Sequence, residues 1–568
     1  MPALLKVLNY LPLLLLVGSA AAAQAQDAPS AEKNLCPDRP APVAVGSVQW
    51  NGWGRDLGNT RYQPEPAIRA ADVPKLALKW SFGFQKGTEF GQPTMVDDRL
   101  FVTSSGGRVY ALDAKTGCTY WTYDLPAGSR SAVSIGELGQ SKRAAIPRRL
   151  KRTLAHLDVI KAPSAAFFGD DTGALYALDA QKGTLLWKTQ IDAHASARIV
   201  AAPALYNDRL YVAVGSNEAG SAATPGYGCC SFRGSVAAVD ISSGRMLWKS
   251  YTVLEEAQPT YKNSAGVQEF GPAGAAILSS PTIDPKRGVL YVGTGRATSG
   301  VELALTDAVV AFDLNDGKLR WVKQLVVKGR PTVSGFTSPP ILRTLASGNE
   351  IILAGQNSGV VYALDPDHGG DILWQVRPGI SPAAPGAADA AAAPASATVP
   401  ASATVPAAAT VPAPAAAATE PAEEGIAWGM AADHRSVFVA LTGQPAQPGD
   451  ATGSLWALDP KNGSARWHAS APQPACSWSE GLCTHAQSQA VTVMPGSVFS
   501  GSMDGHLRAY STIDGKILWD FNTAKAFQTL NGVRADGGPL DHGGASIVNG
   551  SVFINSGNAL LAFSVDGK

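Results

Sequence analysis

One frame recurs along the chain: "GRVYALDAKTGCTYW" (107–121), "GALYALDAQKGTLLW" (173–187), "GSVAAVDISSGRMLW" (234–248), "DAVVAFDLNDGKLRW" (307–321), "GVVYALDPDHGGDILW" (359–374), "GSLWALDPKNGSARW" (453–467) and "GHLRAYSTIDGKILW" (505–519). Each copy reads as a strand, usually an Asp, a Gly turn, a second strand and a closing Trp. Alternation such as Val109, Ala111 or Leu175, Ala177 turns one strand face toward a core. The Asp-x-x-x-Gly spacing supplies a side-chain-to-backbone turn and a residue free to take positive φ. The closing tryptophans (121, 187, 248, 321, 374, 467 and 519) are flat wedges suited to the gap between adjacent sheets. A single unit of this kind cannot bury its own faces, so the copies must stack.

An eighth unit is split between the chain ends. "GNALLAFSVDGK" (557–568) has the first half of the frame without a Trp, and "PKLALKWSF" (74–82) offers Trp80 without the first half. Joined, they close a ring. The expected fold is all-β: an eight-bladed β-propeller of four-stranded antiparallel sheets with tryptophan-docking repeats, its last blade made by both termini. A seven-bladed ring or an open array is the alternative.

The propeller is expected over 47–568, after a signal peptide at 1–25 and an N-terminal segment at 26–46. "MPALLKVLNYLPLLLLVGSAAAAQAQ" has Lys6, a short apolar core from Leu11 to Val17 and the small-residue site "AQA". The mature protein is therefore expected in the periplasm or outside the cell, without a membrane span. Two stretches fall outside the repeat. A basic insertion at 137–162 contains "SKRAAIPRRLKRTLAHLDVIK" and reads as a solvated loop or a docking patch for an anionic partner. An Ala/Pro-rich insertion at 381–424 lacks the composition for a packed core and is expected to be disordered. A formal net charge of zero with 16% charged residues shows no nucleic-acid footprint.

Six cysteines make an even set for an oxidising compartment. Spacing suggests Cys229 with Cys230 and Cys476 with Cys483, which leaves Cys36 for Cys118. Adjacent cysteines can also stay reduced and buried, so the pair at 229–230 has two readings. No C-x-x-C pair and no histidine cluster points to zinc, and no C-x-x-C-H site points to covalent haem.

"NGWGRDLGNTRYQP" (51–64), the A-x-D-x-x-x-G-x-x-x-W repeats and "SSPTIDPKRGVLYVGTG" (279–295) resemble the quinoprotein alcohol dehydrogenases that depend on pyrroloquinoline quinone (PQQ). "YGCCSFRGSV" (227–236), "WGMAAD" (428–433) and "HAQSQAVTVMPGSVFSGSMDGHLRAY" (485–510) are nearest to the polyvinyl alcohol dehydrogenase branch. Non-enzymatic propellers of outer-membrane assembly share the blade repeat. The resemblance implies PQQ at one end of the central channel, a Ca²⁺ ion polarising the quinone, and an aspartate taking the alcohol proton as hydride leaves. It also implies a disulfide between Cys229 and Cys230, set against one face of the cofactor.

Residue by residue, the pattern departs from that family. Leu278 stands where a stacking Trp is expected, Arg296 where an Asn or Asp ligand to Ca²⁺ is expected, Asn357 where a Lys or Arg is expected, and Val200 where a Thr is expected. Residues 321–340 hold no acid to serve as base. Arginine has no acceptor for a cation that wants six to eight oxygens. Three further positions match the pattern: Arg130 for a PQQ carboxylate, Glu218 as an oxygen ligand and Trp428 along the channel. As a surface Arg, a solvated Glu and a packing Trp, they have ordinary readings too.

Three functions follow. The first is an alcohol dehydrogenase passing electrons to a separate cytochrome c. The second is a propeller without cofactor chemistry that serves as a binding or assembly scaffold. The third is a site holding PQQ without Ca²⁺, with Arg296 as electrophile and Asp307 as the nearest base, although Asp307 also reads as a blade-turn residue.

Overall fold

The repeat turn is built as its residues dictate. The Asp113 carboxylate accepts the backbone N–H groups of Lys115 at 3.0 Å and Thr116 at 2.8 Å, and Gly117 follows at φ 72°. Asp179 does the same with Gln181 and Lys182. A carboxylate that replaces backbone partners lets the chain reverse within four residues.

The computed structural model describes residues 33–38, 41–46, 49–87, 90–138, 163–224, 226–299, 303–326, 335–379, 425–443, 453–472 and 483–568. Joined hairpins form seven four-stranded antiparallel sheets and one of five strands, arranged as the eight blades of a propeller. The first strands of blades 1 to 8 are Thr94–Val96, Ser134–Glu137, Ala204–Tyr206, Thr282–Asp284, Ile341–Thr344, Ala431–Ala432, Thr492–Met494 and Ser546–Val548. Neighbouring first strands touch one another from blade 2 through blade 7 and between blades 8 and 1. Closure is as expected: Leu76–Gly83 pairs with Ala559–Val565 and becomes the outer strand of blade 8.

The tryptophans seal the seams between blades. Trp121 donates its indole N–H to the Ala180 carbonyl at 3.1 Å, Trp187 to Ile241 at 3.0 Å, Trp248 to Leu314 at 3.3 Å and Trp374 to Pro460 at 3.0 Å. Across the closing blade, Trp519 reaches the Leu76 carbonyl and Trp80 reaches Ala114. Except at Trp519, the ring lies on the turn glycine of the next blade, where a Cβ would stand 2.5 Å from Trp121 at Gly183 and 2.6 Å from Trp187 at Gly244. The repeat glycine thus has two duties, positive φ and room for the neighbour's indole.

A strap that the repeat does not announce runs around the axis over residues 50–66. It bonds in turn to the first strand of blade 1 through Trp50 and Met95, of blade 2 through Asn51 and Ile135, and of blade 4 through Leu57 and Ile283. It continues past Leu342 in blade 5, Ala432 in blade 6, Val493 in blade 7 and Ile547 in blade 8. Arg61 is fully buried within it. Its guanidinium donates to the carbonyls of Val491 and Trp53, the Gln92 amide oxygen and the Thr492 hydroxyl, and lies 5.4 and 5.1 Å from the Trp50 and Trp53 ring centres. Burial without a carboxylate partner pulls its pKa down to about 9.

Cys36–Cys118 and Cys229–Cys230 are disulfides. Cys483 is disulfide-bonded as well, and its expected partner Cys476 lies outside the described residues. The expected signal peptide, the Ala/Pro-rich insertion and nearly all of the basic insertion lie outside them too. The paired strands Ser134–Glu137 and Ser164–Gly169 flank the basic insertion. Among the described residues no helix is long and apolar enough to cross a membrane.

Candidate functional site

Each blade reaches its first strand through a short approach segment, and these segments converge at one mouth of the ring. Phe90, Arg130, Val200, Leu278, Thr337 and His542 each stand four residues ahead of a first strand. In blade 6, Trp428 stands three ahead. These side chains line three cavities of about 210, 330 and 380 Å³ that share residues with one another. The 210 and 330 Å³ cavities share Ser216, Leu278, Thr337 and Trp428; the 210 and 380 Å³ cavities share Arg130 and His542. Trp53 floors the smallest one and also borders a 430 Å³ cavity on the other side of the strap.

The mouth is rich in donors. Arg130, Arg198 and Arg296 border it. Arg130 meets Asp171 at 3.2 Å, whereas Arg198 has no hydrogen bond or ion pair from its side chain among the described residues. The hydroxyls of Ser279, Ser280 and Thr298 and the Trp53 indole N–H are buried without a hydrogen-bond partner there. Buried polar groups are ordinarily satisfied, so this concentration of open donors suits a ligand rich in acceptors. Asn357 is held at the edge by Thr337, 2.8 Å from its hydroxyl. Trp428 stacks on His542 with ring centres 4.2 Å apart.

Five of the residues singled out from sequence therefore meet at this mouth: Arg130, Glu218, Arg296, Asn357 and Trp428. Glu218 is 1% exposed, so the solvated reading of it is wrong. Its carboxylate accepts the Tyr227 hydroxyl at 3.0 Å and the N–H groups of Ser231 at 2.8 Å and Phe232 at 2.9 Å. It thereby pins the segment that follows the paired cysteines. Cys229 and Cys230 do not line the described cavities. The disulfide adjoins them, bonded through its backbone to Phe270, with the Cys229 sulfur 3.9 Å from the carbonyl of Thr298, a wall residue. Asp307 likewise adjoins the wall without lining the described cavities. Its N–H bonds the Gly295 carbonyl at 3.1 Å, and a Cβ on the lining residue Gly335 would stand 3.6 Å from its carboxylate.

Sequence reasoning missed Arg198, Asp541 and His542. "GPLDHGGAS" (538–546) carries no repeat element. The signal that could have found it is its offset, four residues ahead of a first strand, as for Arg130.

Residues 50–432 match the family model described as the glucose/ethanol/alcohol dehydrogenase β-propeller domain, whose short name is PQQ. The chain belongs to the PQQ-type alcohol dehydrogenase propeller family. Within the family, it is 39% identical to the polyvinylalcohol dehydrogenase of a Pseudomonas species, over 94% of this chain and 80% of that protein. It is 36% identical to the polyvinylalcohol dehydrogenase of Sphingopyxis sp. (strain 113P3), over 94% and 79%. The crystal structure of quinohemoprotein alcohol dehydrogenase from Comamonas testosteroni superposes with a TM-score of 0.61 at 20% identity, covering 92% of this chain and 82% of that one, and shows the shared fold. Residues 357–568 also match the model of the outer membrane protein assembly factor BamB, as expected of a shared blade repeat.

The donor set at this family member's mouth fits a planar polyanion such as PQQ, whose carboxylates need arginines and hydroxyls. It does not fit Ca²⁺. Among the described residues no three His, Cys, Asp or Glu side chains gather as a metal site, and Arg296 brings positive charge to the cavity that Glu218 lines.

Proposed function

We propose that the protein is a PQQ-dependent alcohol dehydrogenase of the polyvinyl alcohol type, exported to the periplasm after loss of its signal peptide and passing electrons to a separate cytochrome c. One observation carries the reading: open donors, Arg198 foremost, crowd a mouth that belongs to a family of quinone-using propellers. Arg130, Arg198 and Arg296 would hold the cofactor's carboxylates, since charge-assisted hydrogen bonds from planar guanidinium suit carboxylate geometry. Ser279, Ser280 and Thr298 would complete its polar contacts, and Trp428 with Leu278 would flank it as apolar surface. When bound, PQQ supplies the two-electron acceptor for alcohol oxidation.

Replacement of the expected ligand and stacking positions by Arg296, Asn357, Leu278 and Val200 supports a site that works without Ca²⁺. It equally motivates a second reading, a propeller that scaffolds assembly and binds no quinone. Reconstituting the mature protein with PQQ, with and without Ca²⁺, separates them. The dehydrogenase reading expects bound-quinone absorbance and alcohol-dependent dye reduction in both conditions. No bound quinone in either condition leaves the scaffold reading standing.

A further inference from the structure

Residues 321–340 provide no acid, yet the mouth contains a proton acceptor of another kind, contributed by blade 8. The Asp541 carboxylate accepts the His542 backbone N–H at 2.8 Å through one oxygen and lies 3.2 Å from His542 Nδ1 through the other. Burial raises the Asp541 pKa, but the hydrogen bonding and charge of His542 outweigh it and hold the carboxyl below its ordinary value. An ionised carboxylate facing Nδ1 requires that nitrogen to carry the hydrogen of the neutral ring, which leaves the Nε2 lone pair open. Nε2 has no partner among the described residues, and the ring borders two of the three cavities.

The ring is also fixed in place. His542 sits at φ 62°, a conformation few non-glycine residues adopt. Its carbonyl accepts the Ala490 N–H at 3.0 Å, and its face lies on Trp428. An indole face and a carboxylate both stabilise an imidazolium as it forms. Three cations oppose that charge: Arg130 in both cavities, Arg198 in one, and Arg61 beneath Gly544. Asp541 is the only carboxylate lining these two cavities among the described residues.

We propose that His542 is the proton acceptor for the alcohol hydroxyl, with Asp541 as its positioning residue. The assignment rests on the dehydrogenase reading above. The alcohol O–H proton passes to Nε2 while the carbon-bound hydrogen leaves with its electron pair for the quinone. The alcohol is thereby oxidised by two electrons to a carbonyl, for which bound quinone would be the two-electron acceptor, and the imidazolium later returns its proton to water.

The test uses the PQQ-loaded mature protein in single-turnover mixing with alcohol, alongside NMR titration of the His542 imidazole. His542→Gln should bind PQQ with unchanged absorbance while the rate of quinone reduction falls about 100- to 10,000-fold. His542→Gly, which suits the backbone at this position, should fall as far and regain at least part of its rate with added imidazole. Asp541→Asn should lower the imidazole pKa seen by NMR and move the acid limb of the rate profile by the same amount. Wild-type rates in His542→Gln, or an imidazole titration that ignores Asp541→Asn, would overturn the assignment alone. A wild-type protein that holds PQQ oxidised in the presence of alcohol, or that binds none, overturns the dehydrogenase reading and the assignment with it.

Discussion

Arg61 in the strap and Arg198 at the mouth carry the same guanidinium into the same axis and meet opposite surroundings. Arg61 donates to two carbonyls, an amide oxygen and a hydroxyl and lies against two indoles. Arg198 has no partner from its side chain among the described residues. Burying a charge is costly unless its donors are satisfied, so a satisfied arginine marks framework and an unsatisfied one at a cavity marks ligand. The strap closes the ring; the mouth waits for something with acceptors.

The comparison breaks most readily at Arg61. Arg61→Ala should cost about 3–5 kcal/mol, because it orphans several buried acceptors and opens a cavity between two tryptophans; chemical denaturation would read this, and a loss under about 1 kcal/mol would strip the strap of its framework role. Arg198→Ala should do the reverse. Its stability should stay within about 0.5 kcal/mol of wild type, while PQQ affinity drops about 10- to 100-fold, the worth of one charge-assisted hydrogen bond. Titration followed by quinone absorbance checks it, and unaltered affinity would show that the mouth reads its ligand elsewhere.

A yardstick away from both regions is Gly244→Ala, where the new methyl meets Trp187 at positive φ. About 1–3 kcal/mol of destabilisation is expected, between the two arginine results, with quinone affinity intact. The smallest effect is in acid. Because Asp541 is held below its ordinary pKa, its contribution is complete above the usual carboxylate range and fades as pH falls through the lowered value. Relative to wild type, Asp541→Asn should show a shallower loss of stability below about pH 4. Identical acid profiles would remove the charge of Asp541 from the description of the mouth.

The blades were legible because everything that makes one lies within about fifteen residues. Asp113 caps its own turn, Gly117 bends it, and Trp121 closes the hairpin. Even ring closure could be read, since Trp80 and the chain end each lacked the half that the other carried. The strap was harder. Its residues 51–64 were recognisable only as a motif, because their partners are spread from Met95 to Ile547.

For the site, sequence alone placed Arg130, Glu218, Arg296, Asn357 and Trp428 at one mouth through resemblance, but not what each does there. Glu218 turned out to hold backbone, and Cys229 and Asp307 adjoin the lining residues Thr298 and Gly335. Arg198, Asp541 and His542 left no local trace. The physical reason is geometric: a propeller site takes about one residue from each blade, and neighbours in the cavity such as Trp428 and His542 are more than a hundred positions apart in the chain. Local chemistry determined the hairpins and their stacking; only closure of the ring decided which side chains face one another across its axis.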